Sequence, residues 1–410
     1  MPANAATDAD CTTLNTATAN AGGTNASDIQ TLLAAYTPII CLVGTFNVAT
    51  TLTAGYTGHG AQLTLHGLSG AVLDGGGTTQ ILNDNPPSDT LTIENISFVH
   101  GAANINGGAI SGAKVKIYDS TFEYNTSATF GGAVFGYVSV TATRSTFDHN
   151  VATGGAGAIA AFGPATIDSS TFLENQAGTD AGAVGANTLD VTNSTFKGNS
   201  VVNENPSARE GGALFTDGNA TILQSTFWDN SSAAAGGQAI QVGADSGNGV
   251  VVNVRGNIFS DDASTTRQIV TAPGATLVDL GGNLFTTTAA SETSLPSPDP
   301  SSKFGVTVLS LFGPTPGLAD NGGPTKTVAL SSTSVAIDAV PAGSPSVTVD
   351  QRGVARTGLS DAGAYEAPLP VPALAATGAA PSTWIGGVAA LLLAAGAAAF
   401  GLSRRRVRTH

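Results

Sequence analysis

Asp148, His149 and Glu174 are the residues whose types and spacing most suggest acid–base chemistry. The first two are adjacent in the hexapeptide STFDHN, and Glu174 belongs to STFLEN one repeat later. Two carboxylates on either side of a saccharide can hydrolyse a glycosidic bond, and elimination from uronates needs a base, often with Ca²⁺ held by acids. The same residues also suit a solvated turn, where such variety is normal. We therefore assign no catalytic residue and keep these three as candidates.

Signatures of cofactor or metal chemistry are missing from the sequence. It has two cysteines, Cys11 and Cys41, and neither a Cys-x-x-Cys motif nor a Cys/His cluster. A P-loop, a dinucleotide-binding fingerprint and a Gly-x-Ser-x-Gly elbow are also lacking. We expect no cofactor and no metal. Cys11 and Cys41 are predicted to form a disulfide in an N-terminal cap, as suits a secreted protein, with two buried thiols as the alternative.

The charge distribution argues against a nucleic-acid partner. The formal net charge is −14, and no Lys or Arg precedes Lys114. Four of the 15 basic residues lie within the last seven positions. Phosphate binding needs a basic footprint, which this chain lacks. An acidic, solvated surface is the simplest interpretation.

The hexapeptide Ser-Thr-Phe-x-x-Asn occurs five times. Because two of its copies carry the candidate acids, the structure of the repeat determines where these acids lie. The copies begin at Ser120, Ser145, Ser170, Ser194 and Ser225. A second motif, GGAI or a close variant, keeps step with it 15 or 16 residues before each Phe. Two motifs that repeat in phase indicate one structural unit of about 25 residues.

Aligned on the Phe, each repeat reads as a strand, a bend and a second strand. Val115 and Ile117 flank Lys116, and the later copies keep this apolar, polar, apolar order. The pattern predicts an all-β solenoid of stacked parallel coils. Phe would stack on Phe in the core, Asn would form an amide ladder at a turn, and the variable pair between them would face water. Asp119 and Arg144 are expected to form a salt bridge between coils.

The repeat resembles that of a known family of surface proteins. Its paired GGAI and Phe-x-x-Asn motifs, over about residues 107 to 230, are similar to those of the chlamydial polymorphic outer-membrane proteins. The passenger domains of that family are right-handed parallel β-helices used in adhesion, although the autotransporter barrel of that family has no counterpart here. The resemblance implies that this chain is a right-handed parallel β-helix, of roughly ten coils, with a role in surface binding.

The C-terminal part shows two further resemblances. The stretches DNGGPTKTVALSSTSVAIDA (320 to 339), DQRGVAR (350 to 356) and DAGAYE (361 to 366) resemble the last segment of choice-of-anchor proteins, which are bacterial surface β-helices. LAATG (Leu374, Ala375, Ala376, Thr377, Gly378), an apolar run and a basic tail resemble an actinobacterial sortase sorting signal. That resemblance implies cleavage after Thr377, linkage to peptidoglycan by sortase and only transient membrane insertion. A plain single-span anchor is the alternative.

These observations predict seven segments. They are an N-terminal cap (1–40), β-helix repeats (41–285), a loop (286–303), a C-terminal cap of choice-of-anchor type (304–366), a linker with the sortase motif (367–383), a transmembrane span (384–402) and a basic cytoplasmic tail (403–410). Ser27 and Gln30 would form a capping box on a short helix over the first coil. The opening residues contain no secretory signal, so we expect the sequence to start near the mature end.

The favoured function is non-catalytic: a cell-wall-anchored extracellular adhesin or surface binding module, with a glycan or a host surface as possible ligand. The longer fourth repeat, which ends in Arg209 and Glu210, should project as a loop and is the best binding candidate. A cell-surface polysaccharide lyase or glycoside hydrolase is the alternative. An ice-binding solenoid is a third possibility, but only one outward Thr column, that of Thr121 and its equivalents, is continuous.

Overall fold

The repeated phenylalanines stack in one column in the computed structural model of the chain. Phe122, Phe147 and Phe172 pair in register, and their ring centroids lie 4.8 to 4.9 Å apart with nearly parallel planes. The column runs from Phe98 to Phe304, and its members up to Phe285 are fully buried. Each ring removes apolar surface from water, which is the main stabilising term of the stack.

The protein is an all-β, right-handed parallel solenoid of about nine turns, compared with the roughly ten expected. The predicted fold class is therefore confirmed. The structure describes residues 8–12, 16–19, 26–54, 62–84, 90–202, 210–233, 236–243, 249–261, 266–295, 297–343, 345 and 347–368. The sortase motif, the predicted span 384–402 and the basic tail lie outside these residues. No helix within the described ranges is both long and apolar enough to cross a membrane.

Long, bent strands supply most of the wall. In the middle coils Val115, Val140 and Ala165 pair in register with their side chains inward, as the alternating pattern predicted. The long strands are Ile39–Asn47, Gln62–Asp74, Thr90–Val99, Ile110–Tyr118, Val134–Thr143, Ile159–Asp168 and Val184–Thr192. Later coils use two short strands instead: Leu214–Thr216 with Ala220–Leu223, Ile240–Val242 with Val251–Arg255, and Ile269–Thr271 with Thr276–Asp279.

Two stacks of short strands complete the coils. The strands that carry the Phe column are Thr121–Glu123, Thr146–Asp148, Thr171–Leu173, Thr195–Lys197, Thr226–Trp228, Ile258–Ser260, Leu284–Phe285 and Lys303–Phe304. The third stack contains Ala102–Ala103, Thr126–Ser127, Val151–Gly155, Gln176–Thr179, Ser200–Val201 and Ser231–Ser232. In the first coils Leu52–Thr53 pairs with Leu82–Asn83, which in turn pairs with the start of Ile110–Tyr118.

An asparagine ladder closes the turn after each Phe, as predicted. Asn150 Nδ2 donates to Asn175 Oδ1 at 2.9 Å and to the Phe122 carbonyl at 2.9 Å. Asn150 Oδ1 accepts from the amide and backbone N–H of Asn125. Every polar atom of this buried amide is therefore paired, which explains why the repeat keeps Asn here.

The variable pair is more constrained than the sequence suggested. Its second residue has positive φ in all five copies: Tyr124, His149, Glu174, Gly198 and Asp229. The left-handed conformation turns the chain toward the buried Asn and favours Gly and polar residues. The expectation that the pair only faces water is also wrong at Trp228, which is buried and packs 5.6 Å from Phe312.

The segment after the last coil lies along the outward side of the phenylalanine stack. It contains helix α2 (Val308–Phe312) and the antiparallel strands Leu318–Ala319 and Thr327–Val328. Arg356 is buried and pairs with Glu366 at 3.0 Å, and Arg352 pairs with Asp350 at 2.6 Å. The motifs DQRGVAR and DAGAYE thus hold this segment together. The segment covers Thr171 and two later members of the outward Thr column, so that column is not a free surface.

The N-terminal end is held by a disulfide and a helix. Cys11 and Cys41 are bonded, with their Cα atoms 5.8 Å apart, which confirms the predicted pairing. Helix α1 (Ala26–Ala34) buries Ile29 and Leu33, and a 3-10 turn (Asp8–Asp10) and a strand (Thr16–Thr18) complete this end. The side chain of Gln30 does not serve the expected capping box. Its amide donates to the Thr53 carbonyl and accepts from the Thr53 N–H. These bonds satisfy backbone groups at the open edge of a coil.

Candidate functional site

The three candidate acid–base residues meet on the solenoid surface. His149 Nε2 lies 2.9 Å from Glu174 Oε2, and His149 Nδ1 bonds the adjacent carboxylate of Asp148. The ring of Tyr124 stacks against the imidazole, 5.0 Å away between centroids. His149 and Glu174 occupy the same left-handed position in successive coils, which places their side chains one above the other.

The arrangement is a hydrogen-bonded ion cluster with no space between its acids. The imidazole fills the gap between the two carboxylates, whereas a glycosidase needs that gap for a sugar ring and, in inverting enzymes, for water. All three side chains are partly exposed. Ionised carboxylates only accept hydrogen bonds, so His149 serves both acids fully when it is doubly protonated.

A cleft of about 280 Å³ lies beside this cluster. Glu123 and Asp148 line one wall, and Asp320 and Lys326 of the C-terminal segment line the other. His149 and Glu174 do not reach this cleft, so Asp148 is the one residue shared with the cluster. Asp119 and Arg144 form the predicted salt bridge separately, with a bidentate contact at 2.6 and 2.7 Å.

The polar groove is a second concave surface, and none of the described residues that line it is charged. We use this name for a groove of about 540 Å³ lined by residues 49–51, 78–80, 83, 102–106, 111 and 137. It spans three coils, about 10 Å from the first to the third at the usual strand spacing. Thr, Asn, Gln and Ser supply its polar groups, and the half-exposed ring of Tyr137 stands in the next coil. An uncharged surface contrasts with the net charge of −14.

Hydrogen bonds fix the wall of the polar groove. Gln80 Nε2 donates to the carbonyls of Asn106 and Gly107 at 2.9 and 2.8 Å. Thr129 Oγ1 donates to the Ile105 carbonyl at 2.7 Å and also bonds Asn106 Oδ1. The loop that carries Asn104 is therefore held before any ligand arrives. Such preorganisation lowers the entropic cost of binding.

Several polar groups of the groove have no partner among the described residues. These are the amides of Asn83 and Asn104 and the hydroxyls of Thr50, Thr51, Thr78 and Thr79. Together they offer hydrogen-bond donors and acceptors from successive coils. Sequence reasoning missed them because they precede the copies of the hexapeptide. The paired threonines at 50–51 and 78–79 were a signal that could have found them.

The loop expected to bind ligand is only partly described. Residues 203–209, which include Arg209, lie outside the described residues. Glu210 does not project as expected, because it is 1 % exposed. Within the described part of the chain no group of three or more His, Cys, Asp or Glu side chains is arranged to hold a metal ion.

Comparison with known proteins finds similarity to a solved structure but assigns the chain to no family. No protein family model matches the chain, and no curated protein matches it. A solved structure described as "Crystal structure of pectate lyase Pel9A" aligns over 85 % of this chain and 94 % of its own, at 17 % identity and a TM-score of 0.45. Such a likeness says nothing about activity. The resemblances of the repeat, the C-terminal segment and the sorting signal have no support from sequence comparison and stay predictions.

Proposed function

We propose that the protein is a non-catalytic surface binding module that holds an uncharged glycan in the polar groove. The observation that carries this proposal is the groove itself, where hydroxyls and amides of three successive coils have no partner, and no charged neighbour in the lining, among the described residues. Sugar hydroxyls need donors and acceptors at close spacing, and such specificity comes from a few fixed polar groups. The exposed face of Tyr137 offers a flat apolar surface for the C–H face of a sugar.

The charge of the chain narrows the glycan class. Apart from the groove the chain is strongly acidic, and no Lys or Arg lies among the first 113 residues, which form the coils that build most of the groove. Polyuronates and sulfated glycans would be repelled. Neutral polysaccharides are therefore the expected ligands.

The proposed place of action rests on the predicted sorting signal. We propose that sortase cleaves after Thr377 and joins the Thr377 carboxyl to peptidoglycan, which leaves the solenoid outside a Gram-positive, actinobacterial cell. Membrane insertion through residues 384–402 would precede this step. Mass spectrometry of muramidase-released wall fragments should find the Thr377 carboxyl attached to a wall peptide. An intact C-terminus in the membrane fraction would instead indicate a plain anchor.

Binding and cleavage can be measured together. The protein is incubated with a panel of neutral and acidic polysaccharides, and both retention and new chain ends are scored. We expect retention of a neutral polysaccharide without new ends, weakened about tenfold or more by Asn104→Ala combined with Tyr137→Ala. Tyr124→Ala removes a comparably exposed ring outside the groove and should leave retention unchanged. Retention that survives the groove variant would refute the groove as the site.

A polysaccharide lyase is the second candidate, because Asp148, His149 and Glu174 meet at the surface as acid–base groups and elimination does not need the gap between two carboxylates that hydrolysis needs. Its prediction is new chain ends that disappear in Asp148→Asn or Glu174→Gln while retention persists. New ends of this kind would overturn the non-catalytic proposal. Their absence in every polysaccharide, together with groove-dependent retention, would support it.

A further inference from the structure

A slot on the same wall as the Gly-Gly-Ala motifs is formed by the local lack of side chains. In one register column Phe135 is followed by Ala160, Gly185 and Phe215 in successive coils. The two small residues leave a depression between the two rings. We call this depression the alanine slot. It encloses about 340 Å³, and Ala156, Ala161 and Ala186 complete its floor.

Aromatic rings bound the alanine slot and are held in place. Phe162 is 58 % exposed, yet it makes edge contacts with Phe130 at 5.9 Å and with Phe135 at 4.9 Å. Phe130 and Phe162 line the slot at one end and Phe215 lines it at the other. An exposed phenylalanine fixed by neighbouring rings presents its face to solvent at little further entropic cost.

Two charged residues occur in the described lining of the slot, and both are acids. Asp180 and Asp217 line it, and neither side chain has a hydrogen-bond or ion-pair partner among the described residues. Asp180 packs on Gly155, since a Cβ added there would lie 2.1 Å from Asp180 Oδ2. Burial and the charge of Asp217 raise the pKa of Asp180. The carboxyl is thus placed where its own charge is poorly solvated.

A third carboxyl deepens the negative potential. Glu210 follows Asp180 in the same register column, because Ala181 pairs with Gly211. It is buried, and neither of its carboxyl oxygens has a hydrogen-bond partner. Burial, with the charge of Asp180 second, raises its pKa to about 7. A buried carboxyl of this kind avoids the cost of an unpaired charge by keeping its proton or by accepting a cation from outside.

We propose that the alanine slot binds a small organic ammonium ion, whose alkyl groups pack against the Phe rings and alanines while Asp180 and Asp217 balance its charge. Aromatic faces attract organic cations, and carboxylates nearby add to that attraction. An inorganic cation carries no alkyl groups and would gain nothing from contact with the alanines of the floor. The site is separate from the polar groove and does not depend on the glycan proposal.

Choline and n-butylammonium chloride are suitable probes, with 3,3-dimethyl-1-butanol as the neutral isostere of choline. Calorimetry or ligand-observed NMR on the whole protein should show binding of at least one cation and none of the isostere. Phe162→Ala and Asp180→Asn should each weaken binding about tenfold or more. Tyr124→Ala, at similar exposure on another face, is the matched control. Far-UV circular dichroism verifies that each variant is folded.

The affinity should also rise with pH. Asp180 lines the slot and Glu210 lies beside it in the next coil, and each carboxyl attracts a cation only when it is ionised. Equal binding of choline and the isostere would show an apolar slot only and overturn the proposal. Lack of binding by both cations, or binding unaffected by Phe162→Ala and Asp180→Asn, would overturn it too.

Discussion

Thr195 and Gln351, 156 residues apart in the chain, are joined by a 2.6 Å hydrogen bond from Thr195 Oγ1 to Gln351 Oε1. The amide nitrogen of Gln351 donates to Thr171 Oγ1 at 2.8 Å and to Thr325 Oγ1 at 2.9 Å. One buried side chain therefore fastens the C-terminal segment to two coils. The stacked threonines serve as a docking strip for that segment.

Replacing Gln351 with Ala should loosen the C-terminal segment. The hydroxyls of Thr195 and Thr171 would lose buried partners, so we expect a loss of about 2 to 3 kcal/mol in unfolding free energy. Chemical denaturation measures this, and limited proteolysis should cut within 304–367 sooner. Gln62→Ala, at an exposed strand start, is the control and should change neither readout. Equal proteolysis rates for wild type and Gln351→Ala would contradict the docking role.

Phe172→Ala should open a cavity in the middle of the ring stack. Its ring lies 4.8 Å from both Phe147 and Phe196 and is fully buried, so the expected loss is about 3 to 5 kcal/mol. Thermal and denaturant unfolding measure it. The same change at Phe162, which is 58 % exposed and makes two edge contacts, should cost less, about 1 to 2 kcal/mol. Similar costs at the two positions would argue that the column does not form the core.

Periodicity predicted the parts of the fold that repeat. The Phe column, the Asn ladder and the strand alternation follow from identical residues at a fixed spacing, because stacked coils place equal positions on top of each other. The same reasoning failed at Trp228 and Thr171. Their covering residues, Phe312 and Gln351, belong to a segment that does not repeat, and no local pattern shows where such a segment docks.

The candidate sites also differ in whether the repeat predicts them. The cluster of Asp148, His149 and Glu174 was predictable, because its members share a register column or adjoin it. The alanine slot was not, since it depends on residues that are small in two coils and aromatic in the flanking ones. Asp180 and Glu210 do precede the Gly-Gly-Ala motif in successive repeats, and reading that column would have brought them together.

Asn175→Asp should break the asparagine ladder in a pH-dependent manner. At neutral pH the fully buried carboxylate would leave Asn199 Oδ1 and the Phe147 carbonyl without their donor, and we expect a loss of about 3 to 5 kcal/mol. Acid should restore part of the stability, because a protonated carboxyl can donate again. Asn104→Asp, on the exposed groove loop, is the matched control for melting curves at pH 4 and pH 7. A stability loss independent of pH would refute the donor explanation.

Glu210→Gln should stabilise the protein relative to wild type, and this gain should be larger in alkaline than in acidic solution. Burial raises the pKa of Glu210 from 4.5 to about 7, so below pH 4.5 the carboxyl is protonated whether the chain is folded or not. Between these values the unfolded chain releases the proton and the folded chain keeps it, so the wild type loses stability as the pH rises. Above pH 7 both states are ionised and the loss, on the order of 3 kcal/mol, is complete. Gln stays neutral throughout. The difference in unfolding free energy, variant minus wild type, should therefore grow from pH 4 to pH 8. A flat difference would mean that the carboxyl of Glu210 is ionised at the same pH in both states.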